Sequence, residues 1–320
     1  MTRPLVYGAS WIWSSVNRVV RSATQLGLAP RSALSAKVIS VGNLQAGGTG
    51  KTPLVAQIAG EAHDRGLTVC ILIRGYGGQW EQHGGLIFPG DFVSTTQCGD
   101  EAALLHHLCP FAFLAVGKDR VAQFHKLSRR VERPIDIVVL DDGFQNFKIK
   151  KDIEIVTLTS ARWGERVFRD FPQALKRAQV LVWTKGDRQP DGWEEFEGAN
   201  PPKWRVRTCY TLSPPKNKDQ KFQLICGVAD GKSVKTLAVS AGYKIQNHLE
   251  LQDHYSYKLP EVQEWLRDAS RVGLRILLTG KDWVKWKELG IQESEVDVIE
   301  PKIQITSGQK EWREVLWSGL

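Results

Sequence analysis

The sequence predicts an α/β protein: a mostly parallel sheet with helices on both faces, followed by a smaller C-terminal α/β domain. Three observations predict it. Short β-branched runs at 38–41, 68–73 and 135–142 are separated by helical stretches, the pattern of βαβ crossovers. The first run passes through a glycine-rich turn into a helix start, VISVGNLQAGGTGKTP at 38–53. A second strand–helix alternation occupies 222–279, beyond a segment rich in proline, glycine, asparagine and lysine.

Composition narrows the class. With 320 residues, 42% hydrophobic and 24% charged, the chain buries a sizeable core as one large or two modest domains. A net charge of +8 suits an acidic partner: nucleic acid, anionic lipid or a phosphorylated substrate. Cys70, Cys98, Cys109, Cys209 and Cys226 form no C-x-x-C pair, so reduced thiols are expected, not a disulfide frame or zinc site. No run approaches the ~18 apolar residues of a spanning helix. A signal peptide is not expected either, since polar residues interrupt the apolar stretch early.

Residues 4–28 read as an amphipathic helix. Leu5, Ile12, Val16, Val19, Val20, Ala23 and Leu26 recur at spacings of mostly three and four, with Ser14, Arg18, Arg21, Ser22 and Gln25 opposite. Such a helix either packs on its own domain or lies on a membrane. In the second case its arginines face lipid phosphate, and Trp11 and Trp13 sit at headgroup level.

At 38–53, Val38, Ile39 and Val41 form a buried strand that stops at Gly42-Asn43. Gly47, Gly48 and Gly50 follow, then Lys51-Thr52 at a helix start. Strand, glycine loop and helix in this order give the sheet the P-loop NTPase character. Glycines let backbone N–H groups turn toward a polyphosphate, and the helix start adds partial positive charge. Lys51 is placed for the β- and γ-phosphates of ATP and the Thr52 hydroxyl for Mg²⁺. The pattern G-x-x-x-x-G-K-[ST] asks for glycine at 45, where this chain has Gln45.

A helix is expected at Leu54–Arg65 and a strand at Thr68–Ile73. Arg74-Gly75-Tyr76-Gly77-Gly78 then falls at a strand's carboxyl end, where open α/β sheets bind ligands. Arg74 suits a bidentate phosphate contact, or is a solvated arginine on a mobile turn. Gly99-Asp100-Glu101 precedes an apolar run, where Asp100 reads as a helix cap. A strand at Phe111–Val116 leads to Gly117-Lys118-Asp119-Arg120, which opens the next helix. IDIVVLDD at 135–142 carries Asp141 and Asp142 to the sheet edge, the Walker B arrangement for holding Mg²⁺.

Further strands are expected at 153–158 and 180–183. Thr184-Lys185-Gly186-Asp187 imitates a guanine-reading motif and is set aside, because Asp142-Gly143-Phe144-Gln145 is not the Asp-x-x-Gly a GTPase requires. Residues 189–219 read as a linker region holding one strand at 204–210. The second unit follows as strand 222–226, helix 232–241, strand 244–250, helix 260–270 and strand 274–279, with no phosphate loop of its own. Gln252-Asp253-His254-Tyr255 and Thr279-Gly280-Lys281-Asp282 stand at its strand-to-helix junctions; a lone His254 is more often structural than catalytic. The division is thus 1–30, an amphipathic membrane-associating helix, 31–212, a P-loop domain, and 213–320, a smaller α/β domain.

Read together, VGNLQAGGTGKTP, RGYGG, GDEAALL, VGKDRVAQF, LDDGFQ, RDFPQALKRA, CGVADGKSV, LQDHYSY and LLTGKDWVKW resemble the tetraacyldisaccharide 4′-kinase family, the lipid A 4′-kinases, over about residues 38–287. The resemblance implies Mg-ATP as phosphoryl donor and the 4′-hydroxyl of a lipid disaccharide as acceptor, at the cytoplasmic face of the bacterial inner membrane. It implies a peripheral monomer on an anionic inner-membrane surface, with no nucleic-acid partner. Residue by residue, it implies that Thr49, Lys51 and Thr52 belong to the phosphate loop, and Asp141 and Asp142 to the acidic strand end. Asp100 becomes the catalytic aspartate and His254 its partner; Arg74, Arg120 and Gln145 fall on functional positions. Asp170, in place of the glutamate of an Arg-Glu pair, joins the candidate metal ligands. The family loop lacks the first Walker glycine as well, so Gln45 fits it.

Two positions depart from the family pattern. Asn146 replaces the histidine of DDGFQH, and GERVF leads directly to Arg169-Asp170 where the family has a proline- and glycine-rich segment. A P-loop ATPase with another acceptor, or a membrane-binding homologue without turnover, are the competing readings.

Overall fold

The structure, a computed structural model, describes residues 3–28, 30–193 and 204–318. Its strands are β1 (Lys37–Asn43), β2 (Val69–Ile73), β3 (Gly85–Ile87), β4 (Phe113–Val116), β5 (Ile137–Asp141), β6 (Ile153–Thr159), β7 (Val180–Lys185), β8 (Trp204–Thr211), β9 (Lys221–Cys226), β10 (Lys244–Glu250), β11 (Leu274–Thr279), β12 (Val296–Ile299) and β13 (Lys302–Ser307). Its helices are α1 (Arg3–Gln25), α2 (Lys51–His63), α3 (Trp80–His83), α4 (Thr95–Cys98), α5 (Asp100–Leu108), α6 (Arg120–Ser128), α7 (Gly231–Ser240), α8 (Leu259–Arg271), α9 (Gly280–Glu288) and α10 (Gln309–Trp317).

The larger sheet has the order β13-β8-β7-β6-β1-β5-β2-β4-β3. Its strands are parallel from β8 to β4, and only the edge strands β13 and β3 run antiparallel. Central strands β1, β2, β5 and β6 are buried on both faces, which is why they read as unbroken apolar runs and not as alternation. On one face Leu54, Val55 and Ile58 of α2, with Ala102 and Leu105 of α5, pack on Ile39, Val41, Ile71 and Val139. On the other, Phe124 and Leu127 of α6 pack on Val38, Leu72 and Val138, while Leu175 covers Val156 and Leu158. β1 and β5 are neighbours with Val41 opposite Asp141, so the glycine loop and the paired acids leave the sheet side by side.

The smaller sheet is all parallel, in the order β10-β9-β11-β12. Its core is aromatic: Tyr257, Trp283 and Trp286 are buried with Ile225, Ile276 and Leu278.

The unit expected over 213–320 does not hold to its end. β13 pairs with β8 at the edge of the larger sheet, and α10 lays Trp312, Leu316 and Trp317 into that sheet's core. Both indole N–H groups donate to Glu61 of α2, and Lys37 donates to the Leu316 carbonyl at 2.9 Å. The expected linker region also needs correction: β8 lies inside the sheet, between β7 and β13. Part of that linker, 194–203, lies outside the described residues.

Helix α1 is amphipathic but docks by its polar side. Ser10, Ser14, Asn17 and Thr24 are buried, whereas Trp11, Ile12 and Val19 are 64%, 67% and 68% exposed. Ser10 Oγ accepts from the Phe168 N–H at 3.0 Å, and Asn17 donates to the Arg169 carbonyl at 2.7 Å. Arg21, expected toward lipid phosphate, instead turns inward to pair with Asp170 at 3.0 Å. Buried polar groups need partners: residues 168–170 meet Ser10, Asn17 and Arg21, and Thr24 donates to the Val20 carbonyl of its own helix, while Ser14 Oγ is left without a hydrogen bond. The apolar stripe faces outward.

Candidate functional site

The phosphate loop is shaped by groups the sequence pattern does not name. Gln45, in place of a glycine, is 1% exposed and plugs into the end of β6. Its amide donates to the carbonyls of Thr159 and Ala161 and accepts from the Thr159 N–H and hydroxyl. Ala46 N–H donates to Val167 and Arg169 N–H to Leu44, both at 2.7 Å, so the short 167–169 segment braces the loop from outside. Gly50 closes it at φ 79°, and a Cβ there would start 1.6 Å from the Tyr210 hydroxyl oxygen; glycine is required twice over.

Not every residue expected at the nucleotide faces it. The Thr49 hydroxyl is turned inward, 2.9 Å from Thr157 Oγ1 and 3.0 Å from Asn43 Nδ2. Gln145 donates to the Asn43 carbonyl at 3.0 Å and braces the turn after β5. Two cations that the sequence reading passed over do flank the loop. A side chain at Gly47 would start 3.6 Å from an Arg166 guanidinium nitrogen, and one at Gly48 would start 4.0 Å from Lys185 Nζ. Burial pushes the Lys185 ammonium down from its ordinary value. Its signal was positional: Lys185 ends β7 as Asp141 ends β5, at the carboxyl edge where ligands bind.

Lys51 and Thr52 open α2 beside the acids. Lys51 Nζ lies 3.5 Å from Asp142, which Arg169 also holds through both carboxylate oxygens at 2.7 and 2.8 Å. These cations keep the Asp142 carboxyl below its ordinary range despite burial. Asp141 is the opposite case. It is 3% exposed, no hydrogen bond reaches its Oδ1, and burial with the charges of Glu101 and Asp142 pushes it up to about 7. Arg120 donates to the Asp141 carbonyl at 3.3 Å while its buried Nε has no partner.

An orphaned buried carboxylate oxygen fits a divalent cation. Among the described residues no three acidic, histidine or cysteine side chains gather to hold a metal by themselves. Mg²⁺ does not need them, since it is usually held by one or two carboxylates, waters and substrate phosphates. Asp141, with Asp142 and the Thr52 hydroxyl nearby on β5 and α2, meets that description. Asp170 does not. It is fully buried, Arg21 and Arg177 take its oxygens at 3.0 and 3.4 Å, and the Phe171 N–H takes a third contact at 2.9 Å. The expected metal ligand is an anchor for α1.

Asp100 is the first residue of α5, after Gly99 at φ 87°, and makes no capping hydrogen bond, so the cap reading fails. Its Oδ2 lies 2.8 Å from His254 Nδ1 and 2.7 Å from Lys285 Nζ. Lys281 completes the group, 3.4 Å from His254 Nε2 and 2.8 Å from Asp253. Lys281 and Lys285 lie on α9, an element the sequence reading did not delimit. Arg74, placed nearby by the strand end, rests on Glu81 at 2.7 Å and is half exposed. The RGYGG turn and the Gly99 turn interlock: a Cβ at Gly78 would start 2.4 Å from Gly99 N. That contact fixes the Arg74 turn against the start of α5.

Asp100 opens α5, which packs on the larger sheet, and His254 lies in the loop after β10 of the smaller sheet; further ties hold the two sides together. Glu288 accepts from the Ser94 hydroxyl at 2.9 Å, and His107 meets Glu300 at 2.6 Å. Among the described non-glycine residues, positive φ occurs at Asp142 and His254, 49° and 64°. Strained backbone persists where surrounding structure imposes it, and here it marks one residue of the acid pair and the histidine that meets Asp100.

Comparisons with known proteins identify the family. A family model, tetraacyldisaccharide-1-P 4′-kinase, matches residues 2–320. The chain belongs to that family. A tetraacyldisaccharide 4′-kinase of Chlamydia muridarum is 30% identical over 298 residues, covering 86% of this chain and 79% of the relative. One from Geobacter metallireducens is 31% identical over 300 residues, covering 84% and 86%. In fold, the chain is similar to an "apo"-form LpxK from Aquifex aeolicus crystallised with ATP: TM-score 0.79, 22% identity, 99% of each chain covered.

Proposed function

We infer that this member of the 4′-kinase family transfers the γ-phosphoryl group of ATP to the 4′-hydroxyl of a tetraacyldisaccharide 1-phosphate, a step of lipid A biosynthesis. The observation that carries the mechanism is the Asp100–His254 pair at 2.8 Å; Asp100 is next in sequence to Glu101, whose charge helps raise the Asp141 carboxyl. Asp100 accepts the hydroxyl proton as the acceptor oxygen forms its bond to the γ-phosphorus and the bond to the β-phosphate oxygen breaks, leaving ADP. His254 and Lys285 orient the carboxylate through Oδ2. Among the described residues no hydrogen bond is directed at Asp100 Oδ1, the oxygen left for the acceptor.

Lys51, Arg74 and Arg120 stabilise the charge spreading over the transferred group. Arg166 and Lys185 stand over Gly47 and Gly48 as two more cations for the polyphosphate. Asp141, with Asp142 and Thr52, would hold Mg²⁺, which would supply neutralisation of the phosphate charge.

Docking is peripheral, at the cytoplasmic face of the bacterial inner membrane, where ATP and the lipid meet. Among the described residues no helix is long and apolar enough to cross a bilayer. The outward apolar stripe of α1 lies in the interface, and a net charge of +8 favours an anionic surface. The active unit is proposed as a monomer, a reading supported by one chain carrying Lys51, Asp100, Asp141 and His254. The test is transfer of label from γ-³²P-ATP to purified disaccharide 1-phosphate lipid. A labelled lipid supports the assignment; ATP consumption without labelled lipid, or no reaction, contradicts it.

A further inference from the structure

We propose that Tyr210 belongs to the nucleotide site, its hydroxyl donating to the polyphosphate and its ring seating Lys185 beside the phosphate loop. The proposal rests on the function inferred above and adds a residue that no strand–loop–helix pattern names.

Tyr210 stands near the end of β8, with β7 and β6 between it and the strand that feeds the loop. Its hydroxyl nevertheless reaches Gly50: a Cβ on that glycine would start 1.6 Å from the phenol oxygen and 3.6 Å from Thr184 Cβ. The phenol oxygen is buried, and no hydrogen bond reaches it. Thr184 approaches it without the geometry of a hydrogen bond, and has turned its own proton to the Thr49 carbonyl at 2.8 Å. Burial pushes the phenol above its ordinary value, so it stays protonated and remains a donor. A buried donor without an acceptor costs stability, and its retention calls for a use.

Lys185 has the matching deficit. Its backbone is fixed, since its carbonyl accepts from the Ser160 N–H and the Trp183 indole N–H, both at 3.0 Å. Its ammonium lies 5.6 Å from the centre of the Tyr210 ring, within cation–π range, and 4.0 Å from where a Gly48 side chain would start. No carboxylate pairs with it among the described residues; Asp230 attracts it from farther off and Arg166 repels it. This corner of the loop therefore holds a cation without a counter-ion and a donor without an acceptor, with glycines at 47 and 48 leaving room beside them. A polyphosphate answers both, because its charge neutralises the ammonium and its oxygens accept from the phenol. Thr184-Lys185, part of the stretch that imitates a guanine-reading motif, thereby gains a use at the phosphates.

The test titrates Mg-ATP directly against full-length wild type, Tyr210→Phe, Tyr210→Leu and Lys185→Gln, with thermal melts of each protein without nucleotide. Tyr210→Phe loses only the hydroxyl. Its Kd for Mg-ATP should rise roughly 3- to 10-fold, while its Tm without nucleotide stays equal or rises, because an unpaired buried donor has gone. Tyr210→Leu also unseats Lys185 and should raise Kd roughly 10- to 50-fold. Combining Tyr210→Leu with Lys185→Gln should cost less than the product of the two single losses, since the ring acts partly through the ammonium. In steady-state assays the loss should appear in KM for ATP and not in KM for the lipid. A Tyr210→Phe protein that binds Mg-ATP as wild type does overturns the proposal, whatever its Tm, for such a tyrosine only packs. Variants that lose Mg-ATP affinity as expected, in a protein whose wild type labels no lipid, support this site and contradict the kinase assignment alone.

Discussion

His254 Nδ1 lies 2.8 Å from Asp100 Oδ2, although the two residues are 154 positions apart, one opening α5 beside the larger sheet and one in the loop after β10 of the smaller. The contact is made from a left-handed backbone at φ 64°, with the Asp253 side chain accepting the His254 N–H at 3.1 Å. A histidine on an exposed loop has no packing reason to take that conformation. The pairing converts two unremarkable residues into one unit and joins the phosphate loop's domain to the smaller one.

Lys285 touches the same carboxylate oxygen at 2.7 Å and is largely buried. Lys285→Ala is expected to lower kcat/KM about tenfold, because the carboxylate loses the cation that orients it. Lys285→Arg should restore most of it. Steady-state kinetics on the three proteins checks this; an unchanged kcat/KM in Lys285→Ala removes Lys285 from the mechanism.

Asp141 gives a pH-dependent stability. Its folded-state carboxyl is raised to about 7 from an ordinary value of 3.8, so the folded protein binds its proton more tightly than the unfolded chain. Its contribution to stability is therefore lost as pH rises through this window, and the cost is largest above pH ~7. Asp141→Asn should raise Tm relative to wild type at pH 8, by less at pH 5, with the gap closing only below pH ~4, while abolishing phosphoryl transfer. Thermal melts at the two pH values decide; a variant less stable at pH 8 contradicts the orphaned-carboxylate reading.

Much of the site was legible because strand–loop–helix grammar is local. Gly50-Lys51-Thr52 and Asp141-Asp142 fall where a glycine loop and an acid-ended strand must put them. What was not legible depends on long-range closure. Residues 302–317 look like the end of the second unit, and only pairing of β13 with β8 returns them to the first. The face of α1 was legible as a stripe, but not its direction, because partners for Ser10 and Asn17 come from residues some 150 positions away. Asp170 illustrates the same limit: its sequence place suggests a metal ligand, and two arginines from separate elements make it an anchor.

The outward stripe of α1 yields a direct expectation. Ile12→Asp/Val19→Asp alters two exposed positions, so stability should change by no more than about 1 kcal/mol in total. Co-sedimentation with anionic vesicles should fall roughly tenfold or more, because two apolar anchors become charges at the interface. Undiminished sedimentation would show that the membrane is met elsewhere.

The central claim is that Asp100 and His254 act as one catalytic unit, and kcat in a double-mutant cycle tests it most directly. With labelled ATP and the disaccharide lipid, Asp100→Ala and His254→Ala should each lower kcat by roughly 10²–10⁴. The double variant should be little worse than the poorer single, because removing either residue already disables the pair. Losses that multiply, or an Asp100→Ala enzyme with nearly normal kcat, would contradict the account.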